Sequence, residues 1–162
     1  MIIKIQTMED SDWSSVKSIF NEGIATGNAT FRTECPIWEE WNLVHLKFCR
    51  LVAKYNDKII GWAALTPHSG VCAYSGVAEV SIYVTSSARG KGVGKNLLKA
   101  LIKESENKGI WTLEANIFPE NIASISLHKY CGFKEVGIRK HIGQLNGKWR
   151  DVILLERRSS SI

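Results

Sequence analysis

The spacing of apolar residues changes along the first half of the chain, and each change predicts a different element. A short apolar strand at residues 2–5 is followed by apolar residues at helical spacing after a cap at Ser11 or Asp12, and the same spacing returns after Pro36. His45 lies on the apolar stripe of this second helix, so we expect a packed histidine there. The stretches LVAKY and IIGWAALT, separated by an Asn-Asp pair, then predict an antiparallel hairpin.

The second half of the chain alternates strands with helices. The stretch VAEVSIYV at residues 77–84 predicts a strand, a helix with an apolar face follows it, and residues 110–118 predict the next strand. Together they form a βαβ-like unit. A short helix after Asn121, two strands joined at residues 146–147 and a frayed tail at residues 159–162 complete the pattern. Because no repeat or linker interrupts it, we predict one mixed α/β domain.

Length and composition add limits on the class of protein. A chain of 162 residues with 44% apolar and 23% charged residues is long enough for a core and ordinary for a globular domain. No apolar run has membrane length and the start turns acidic early, so we expect a cytoplasmic protein without a membrane partner. The net charge of +5 is spread along the chain, so we expect no nucleic-acid partner.

The cysteines carry no recognisable pattern. They have no CxxC spacing and no histidines at zinc-ligand spacing, so we expect structural thiols and no metal site. Their even number leaves a disulfide possible if the protein is secreted. The four residues are Cys35, Cys49, Cys72 and Cys131.

The segment between the strand at residues 77–84 and the following helix predicts an anion-binding loop. Its alternating glycines lack the Cβ that would keep a ligand from the backbone. The first helical turn leaves N–H groups unpaired, and the helix dipole and nearby basic side chains favour negative charge. The predicted phosphate cradle consists of Arg89, Gly90, Lys91, Gly92, Val93, Gly94 and Lys95.

Three kinds of glycine loop bind phosphate, and their spacing separates them. A Walker loop is excluded because no Ser or Thr follows a Gly-Lys pair. A dinucleotide fingerprint requires GxGxxG directly after its strand, but the third glycine position holds Lys95 and five residues separate Val84 from Gly90. Glu114 lies at a suitable distance to contact a ribose, so this alternative stays open. The third pattern is Arg-x-x-Gly-x-Gly.

Arg89, Gly92 and Gly94 match that third pattern, which resembles the pyrophosphate-binding motif of the GNAT-type N-acetyltransferases. The later stretch NIASISLHKYCGF is similar to another signature of that family. The stretches FRTE, AEVSIYV and GKWRD resemble the subfamily of phosphinothricin and methionine sulfone or sulfoximine acetyltransferases. The resemblance implies one N-acetyltransferase domain over residues 1–162, with a central, mostly antiparallel twisted sheet flanked by helices. It also implies acetyl-coenzyme A as cosubstrate, a small amino-acid-like amine as acceptor, and a homodimer.

Glu79 is the predicted general base. Strand alternation puts it on one face with Val77, Ser81 and Tyr83, while the even-numbered residues take the other face. Burial in a cleft would raise the pKa of this carboxylate towards the range useful for accepting an ammonium proton. The resemblance implies the same role. A glutamate that reaches solvent or pairs with a lysine is the alternative.

The resemblance also implies residues that contact the cofactor and the leaving thiolate. His128 stands where many members of the family carry a tyrosine, and it could act as an acid, hold the substrate, or lie on the surface of its helix. Asn121 could cap that helix and bond the pantetheine amide. The implied cofactor contacts beyond the cradle are the backbones of Ile82, Tyr83 and Val84 and the side chains of Asn121 and Tyr130.

The expected wall of the acceptor site is the loop before the strand at residues 77–84. It carries Cys72, Ala73 and Tyr74, and Phe31 and Trp149 could close the site. A core anchor is the alternative for Phe31. Relatives often carry an arginine in this loop that holds an acidic group, whereas HSGVCAY has none. The acidic group of the acceptor therefore has no predicted partner.

Two other functions remain compatible with these motifs. A non-catalytic acyl-coenzyme A binding protein would use the same loop without needing Glu79. A protein or peptide N-acetyltransferase would need an open groove, which the sequence alone does not reveal.

Overall fold

The computed structural model describes residues 1–162, and its centre is an open seven-stranded sheet with the order β1-β2-β3-β4-β5-β7-β6. The strands are β1 (Lys4–Thr7), β2 (Leu51–Tyr55), β3 (Lys58–Pro67), β4 (Val77–Val84), β5 (Thr112–Ile117), β6 (Lys134–Leu145) and β7 (Lys148–Arg158). The helices are α1 (Trp13–Ala25), α2 (Trp38–Val44), α3 (Val93–Asn107) and α4 (Ile122–Tyr130).

All neighbouring strands are antiparallel except β4 and β5, which α3 connects as a parallel pair. This arrangement confirms the mixed, mostly antiparallel sheet and the βαβ-like unit. It rules out the dinucleotide alternative, because that fold needs a run of consecutive parallel strands.

The two faces of β4 follow the predicted alternation. Ala78 and Val80 are buried in the same apolar cluster as Leu97 and Leu101 of α3. On the opposite face, Tyr83 stacks on Trp62 with ring centroids 4.9 Å apart and is packed against the cluster that contains α1. Glu79 shares this second face because successive side chains of a strand point to opposite sides.

The sheet opens between β4 and β5. Residues 77–79 pair with residues 112–114, and the pairing stops there. Beyond that point β4 remains paired with β3 up to Val84, and β5 remains paired with β7 up to Ile117. The remaining halves of the two strands therefore separate and leave a wedge in the middle of the sheet.

The ends of several elements differ from the prediction. β1 begins at Lys4 rather than at residue 2, and α2 ends at Val44. The prediction of a frayed tail at residues 159–162 is wrong. The Ser159 N–H donates to the Trp111 carbonyl (2.8 Å), and the Ser161 hydroxyl donates to Glu106 (2.8 Å). These contacts depend on residues distant in sequence, which a local pattern does not reveal.

Three further expectations concern the start of α1, the cysteines and membrane-spanning helices. Asp12 precedes α1, but its carboxylate accepts the Glu9 N–H (2.8 Å) instead of capping that helix. All four cysteines are free thiols. No helix has both the length and the apolar character needed to cross a membrane.

His45 is packed inside the fold, as predicted. Its ring lies 4.1 Å from the ring of Trp41 at an interplanar angle of 23°, and its Nδ1 donates to the Trp41 carbonyl (2.7 Å). Burial lowers the pKa of His45 from 6.5 to about 4, and the nearby positive charge of Arg50 acts in the same direction. The hydrogen bond that His45 donates to the Trp41 carbonyl opposes this decrease.

This buried histidine predicts a pH dependence of stability. Below the unfolded pKa the unfolded chain binds a proton that the folded chain does not, so the free energy of unfolding falls as the pH drops from about 6.5 towards 4. We expect His45→Gln to remove about 2–3 kcal/mol of the decrease between pH 7.5 and pH 4.5. Urea unfolding of both proteins at the two pH values measures it. Equal decreases in both proteins would contradict the prediction.

Candidate active site

Two cavities meet where β4 separates from β5. The first, about 270 Å³, lies against Glu79, Asn116 and His128, and the second, about 710 Å³, lies against the glycine loop and the start of α3. The two cavities are adjacent, because they share part of their lining. The residues that line both are Asn28, Ala29, Ile82, Tyr83, Asn121 and Ser124.

The glycine loop directly precedes a helix, as the sequence predicts. Gly90 and Gly92 adopt φ of +75° and +84°, the left-handed region that favours glycine. Gly92 directly precedes α3, and no side chain caps this end of the helix. The first N–H groups of α3 are therefore available to an anion in the second cavity, and Arg89 and Lys95 also line it. Lys91 is exposed and lies outside the lining.

Gly94 has a different role from the other two glycines. A Cβ at this position would lie 3.1 Å from Leu127 of α4, so glycine allows α3 and α4 to approach each other. Tyr130, a predicted cofactor contact, is exposed and lines neither cavity. The ammonium of Lys95 lies 4.2 Å from the Tyr130 ring centroid, so Tyr130 orients a residue of the cradle rather than forming its wall.

The backbone of β4 narrows the predicted pantetheine contacts. The Thr85 N–H donates to Ile60 (2.9 Å) and the His68 N–H donates to Val77 (3.0 Å), so odd-numbered residues of β4 bond to β3. The predicted contact of the Tyr83 backbone with the pantetheine arm is therefore wrong, because the Tyr83 N–H and carbonyl face β3. Ile82 and Val84 turn theirs towards the wedge, where the Val84 carbonyl accepts a bond from Arg89 Nε (3.2 Å).

Glu79 lies half-buried in the wall of the first cavity. Its Oε1 accepts a bond from Asn116 Nδ2 (2.6 Å), and no lysine pairs with it. Burial raises the pKa of Glu79, and the charge of Glu114 on β5 raises it further, against the opposing Asn116 bond. The carboxylate therefore has the environment that suits a general base.

His128 is buried, so the alternative of a surface histidine is wrong. Its Nδ1 lies 2.7 Å from the Ser124 carbonyl, which can only accept, so Nδ1 carries the proton. Nε2 is buried without a partner, and His128 lines the first cavity. Burial lowers the pKa of the ring. The neutral ring therefore offers an acceptor at Nε2 rather than an acidic proton.

The loop at residues 27–32, here called the strap, forms the wall shared by the two cavities. Arg150 of β7 donates to the Gly27 carbonyl (2.9 Å) and to Asn28 Oδ1 (2.9 Å). Asn121 Nδ2 donates to the Asn28 carbonyl (3.2 Å), while Asn121 Oδ1 accepts the Ser124 N–H (3.2 Å). The predicted helix cap at Asn121 is confirmed, and the same side chain also holds the strap.

The expected acceptor wall is only partly present. Phe31 lines the first cavity and packs edge-on against Phe118 at 4.8 Å, so it is both a lining residue and an anchor. The loop residues expected beside it are exposed and line neither cavity, because the loop enters β4 before Glu79 whereas the wedge opens after it. Trp149 of β7 is also exposed outside both cavities. The loop residues concerned are Cys72, Ala73 and Tyr74.

Several lining residues were not predicted. Asn116 follows Glu114 by two positions on β5, so strand alternation could have placed it beside Glu79. Ser124 lies one helical turn before His128, so helical spacing could have placed it beside His128. Thr30 and Arg32 belong to the strap, where no periodic pattern indicates which side chains face a ligand.

Residues 13–133 match the model of the acetyltransferase (GNAT) family. The chain is 33% identical over 160 residues to phosphinothricin N-acetyltransferase of Alcaligenes faecalis, covering 94% of this chain and 81% of that protein. It is 31% identical to the L-methionine sulfoximine/L-methionine sulfone acetyltransferase of Salmonella typhimurium, covering 94% of this chain and 92% of that one.

A solved structure shares the fold as well. The phosphinothricin acetyltransferase of Sinorhizobium meliloti in complex with acetyl-coenzyme A superposes with a TM-score of 0.88 at 28% identity. The match covers all (100%) of this chain and 92% of that one.

Proposed function

Because this chain belongs to the acetyltransferase (GNAT) family, we propose that it transfers the acetyl group of acetyl-coenzyme A to a small amino-acid-like amine of the phosphinothricin, methionine sulfone or methionine sulfoximine type. One observation carries the proposal: the cavity that Glu79 lines lies next to the cavity that the glycine loop lines, and the two share part of their lining. An amine in the first cavity would meet an acetyl donor that lies in the second.

The residues of the second cavity fit acetyl-coenzyme A. The left-handed glycines, the uncapped start of α3 and the side chains of Arg89 and Lys95 suit its pyrophosphate. The exposed backbone of Ile82 suits the amides of the pantetheine arm, since those amides can continue the pairing that β4 lacks on this side. The bound cosubstrate supplies an acetyl thioester.

Glu79 would prepare the acceptor for attack. The carboxylate removes a proton from the ammonium group, directly or through one water, so that the nitrogen lone pair becomes available. Nε2 of His128 accepts a hydrogen bond from the amine. The second proton that the nitrogen loses as the new C–N bond forms goes to the departing sulfur, so that a free thiol results. The strap, held by Arg150 and Asn121, forms part of the wall beside the reacting groups.

The other candidate functions receive less support. A binding protein without catalysis has no need for a carboxylate of raised pKa at the junction. The small volume of the first cavity, about 270 Å³, suits a free amino acid better than the end of a protein chain.

Removal of the proposed base tests the mechanism. We expect Glu79→Gln to reduce kcat/KM by about 10²–10⁴-fold, because the ammonium keeps its proton. The matched control is Glu114→Gln on the adjacent strand, which should retain most of the activity. Release of the coenzyme A thiol in the presence of the acceptor measures both rates. Equal activity of the Glu79 variant and the unmodified protein would contradict the proposal.

The raised pKa of Glu79 also predicts the pH profile. Catalysis needs the ionised carboxylate, so kcat/KM should fall as the pH drops through a pKa above that of an ordinary glutamate. Because the charge of Glu114 contributes to the increase, Glu114→Gln should move this acidic limb to lower pH. If the acidic limb of the kcat/KM profile stays at the same pH in Glu114→Gln, the titrating group is not Glu79.

The cradle can be tested with a pair of glycine variants. Gly92 and Gly109 both adopt left-handed φ, +84° and +81°, and a Cβ at either would meet no atom within 4 Å. Each change to alanine should cost about 1 kcal/mol of stability. Only Gly92→Ala should weaken coenzyme A binding, measured by calorimetry, because its Cβ and a shifted backbone disturb the anion site. Equal affinity in both variants would contradict the assignment of the cradle.

We also propose that the protein is a homodimer through β6 and β7. Val136, Ile138 and Ile142 of β6 and Trp149 of β7 are large apolar residues that are exposed, and β6 forms an edge of the sheet. Light scattering during size exclusion should give twice the mass of the chain, and Ile138→Lys should shift it to the monomer. A monomeric unmodified protein would contradict the proposal.

A further inference from the structure

The first cavity carries one charge of each sign. Glu79 is the only carboxylate among its lining side chains, and Arg32 is the only permanent cation, since His128 is neutral. Glu79 belongs to β4 and Arg32 to the strap, so the two charges come from different elements of the fold.

The two charged side chains have separate partners. Arg32 pairs with Glu40 on α2 (2.8 Å), and the Glu79 carboxylate accepts a bond from Asn116 (2.6 Å). Neither the hydrogen bonds nor the ion pairs of the structure join Arg32 to Glu79. The cavity therefore presents two separated charges that do not neutralise each other.

The Arg32 guanidinium is oriented by one ion pair and keeps free hydrogen-bond donors. Its Nη2 donates to Glu40 Oε1 (2.8 Å) on α2, and its other guanidinium N–H groups have no protein partner. The Arg32 backbone N–H donates to the Thr30 hydroxyl (3.1 Å), and Arg150 holds the strap further back at Gly27. A planar guanidinium binds a carboxylate through two parallel N–H bonds, and such an edge is still available here.

We propose that Arg32 binds the carboxylate of the acceptor. This inference rests on the proposed function and deepens it, because it defines the acceptor as a small zwitterion with its ammonium at Glu79 and its acid group at Arg32. The loop at residues 68–74 carries no arginine, and the strap supplies the cation from another wall of the cavity. The remaining lining at Phe31 and Phe118 is apolar and suits an aliphatic or thioether-derived side chain.

The test compares two matched acceptors. One is methionine sulfone, and the other is the amine that remains after removal of its carboxylate. We expect Arg32→Gln to raise KM for methionine sulfone by about 10–100-fold, since a charge-assisted hydrogen-bonded pair is lost. The KM for the amine without a carboxylate should stay within about twofold, because this acceptor makes no such contact. Arg32→Lys should restore part of the difference as a point charge.

Glu40→Gln is the matched control on the other side of Arg32. It frees the guanidinium from its acidic partner, so KM for methionine sulfone should fall while KM for the amine stays unchanged. Circular dichroism and thermal unfolding check that each variant folds. An equal effect of Arg32→Gln on both acceptors, or no effect on either, would overturn the inference.

Binding without turnover separates this inference from the proposed function. Calorimetry with coenzyme A present measures the affinity for methionine sulfone and for its decarboxylated amine. A preference for the amino acid that Arg32→Gln abolishes supports the carboxylate site even if no acetyl transfer occurs. Absence of acceptor-dependent thiol release from the unmodified protein would overturn the proposed function alone, and absence of that preference would overturn the carboxylate site alone.

Discussion

The separation of β4 from β5 after Glu79 is the constraint on which the rest of the site depends. Both strands keep their outer partners, so the sheet stays intact while its centre loses backbone pairs. Unpaired strand backbone needs a polar partner, and here it faces a cavity that a ligand with amide groups can fill. The same wedge brings Glu79 to the surface of a second, smaller cavity. The proposed cofactor contact and the proposed catalytic carboxylate thus belong to one strand.

The strap covers part of this wedge, where its residues line both cavities. Its backbone is held from both sides, by Arg150 from the penultimate part of the chain and by Asn121 at the cap of α4. The Arg150 guanidinium also lies 4.1 Å from the Phe118 ring centroid, and Phe118 packs on Phe31 of the strap. A loop without secondary structure is therefore fixed by charge-assisted hydrogen bonds and aromatic contact. These contacts fix the start of the strap, and Arg32 at its other end pairs with Glu40.

Local rules predicted much of the site, and long-range contacts explain the rest. Strand alternation placed Glu79 correctly, and the glycines indicated the loop before α3, because both patterns depend on neighbouring residues alone. The direction of the Tyr83 backbone depends on register with β3, and the position of residues 72–74 depends on where the wedge opens. Arg32 is selected by the fold of the strap, which no periodicity encodes. The anchored tail at Ser159 has the same origin, since its partners belong to distant elements.

The central claim is that an amine beside Glu79 receives the acetyl group from a donor in the adjacent cavity. The most direct measurement is the identity of the product after incubation with acetyl-coenzyme A labelled with ¹³C in the acetyl group and with methionine sulfone. The account predicts that mass spectrometry and NMR find the label on the α-nitrogen of the amino acid, with one free thiol formed for each acetylated amine. Free labelled acetate without acetylated amino acid, or unchanged acetyl-coenzyme A, would contradict it.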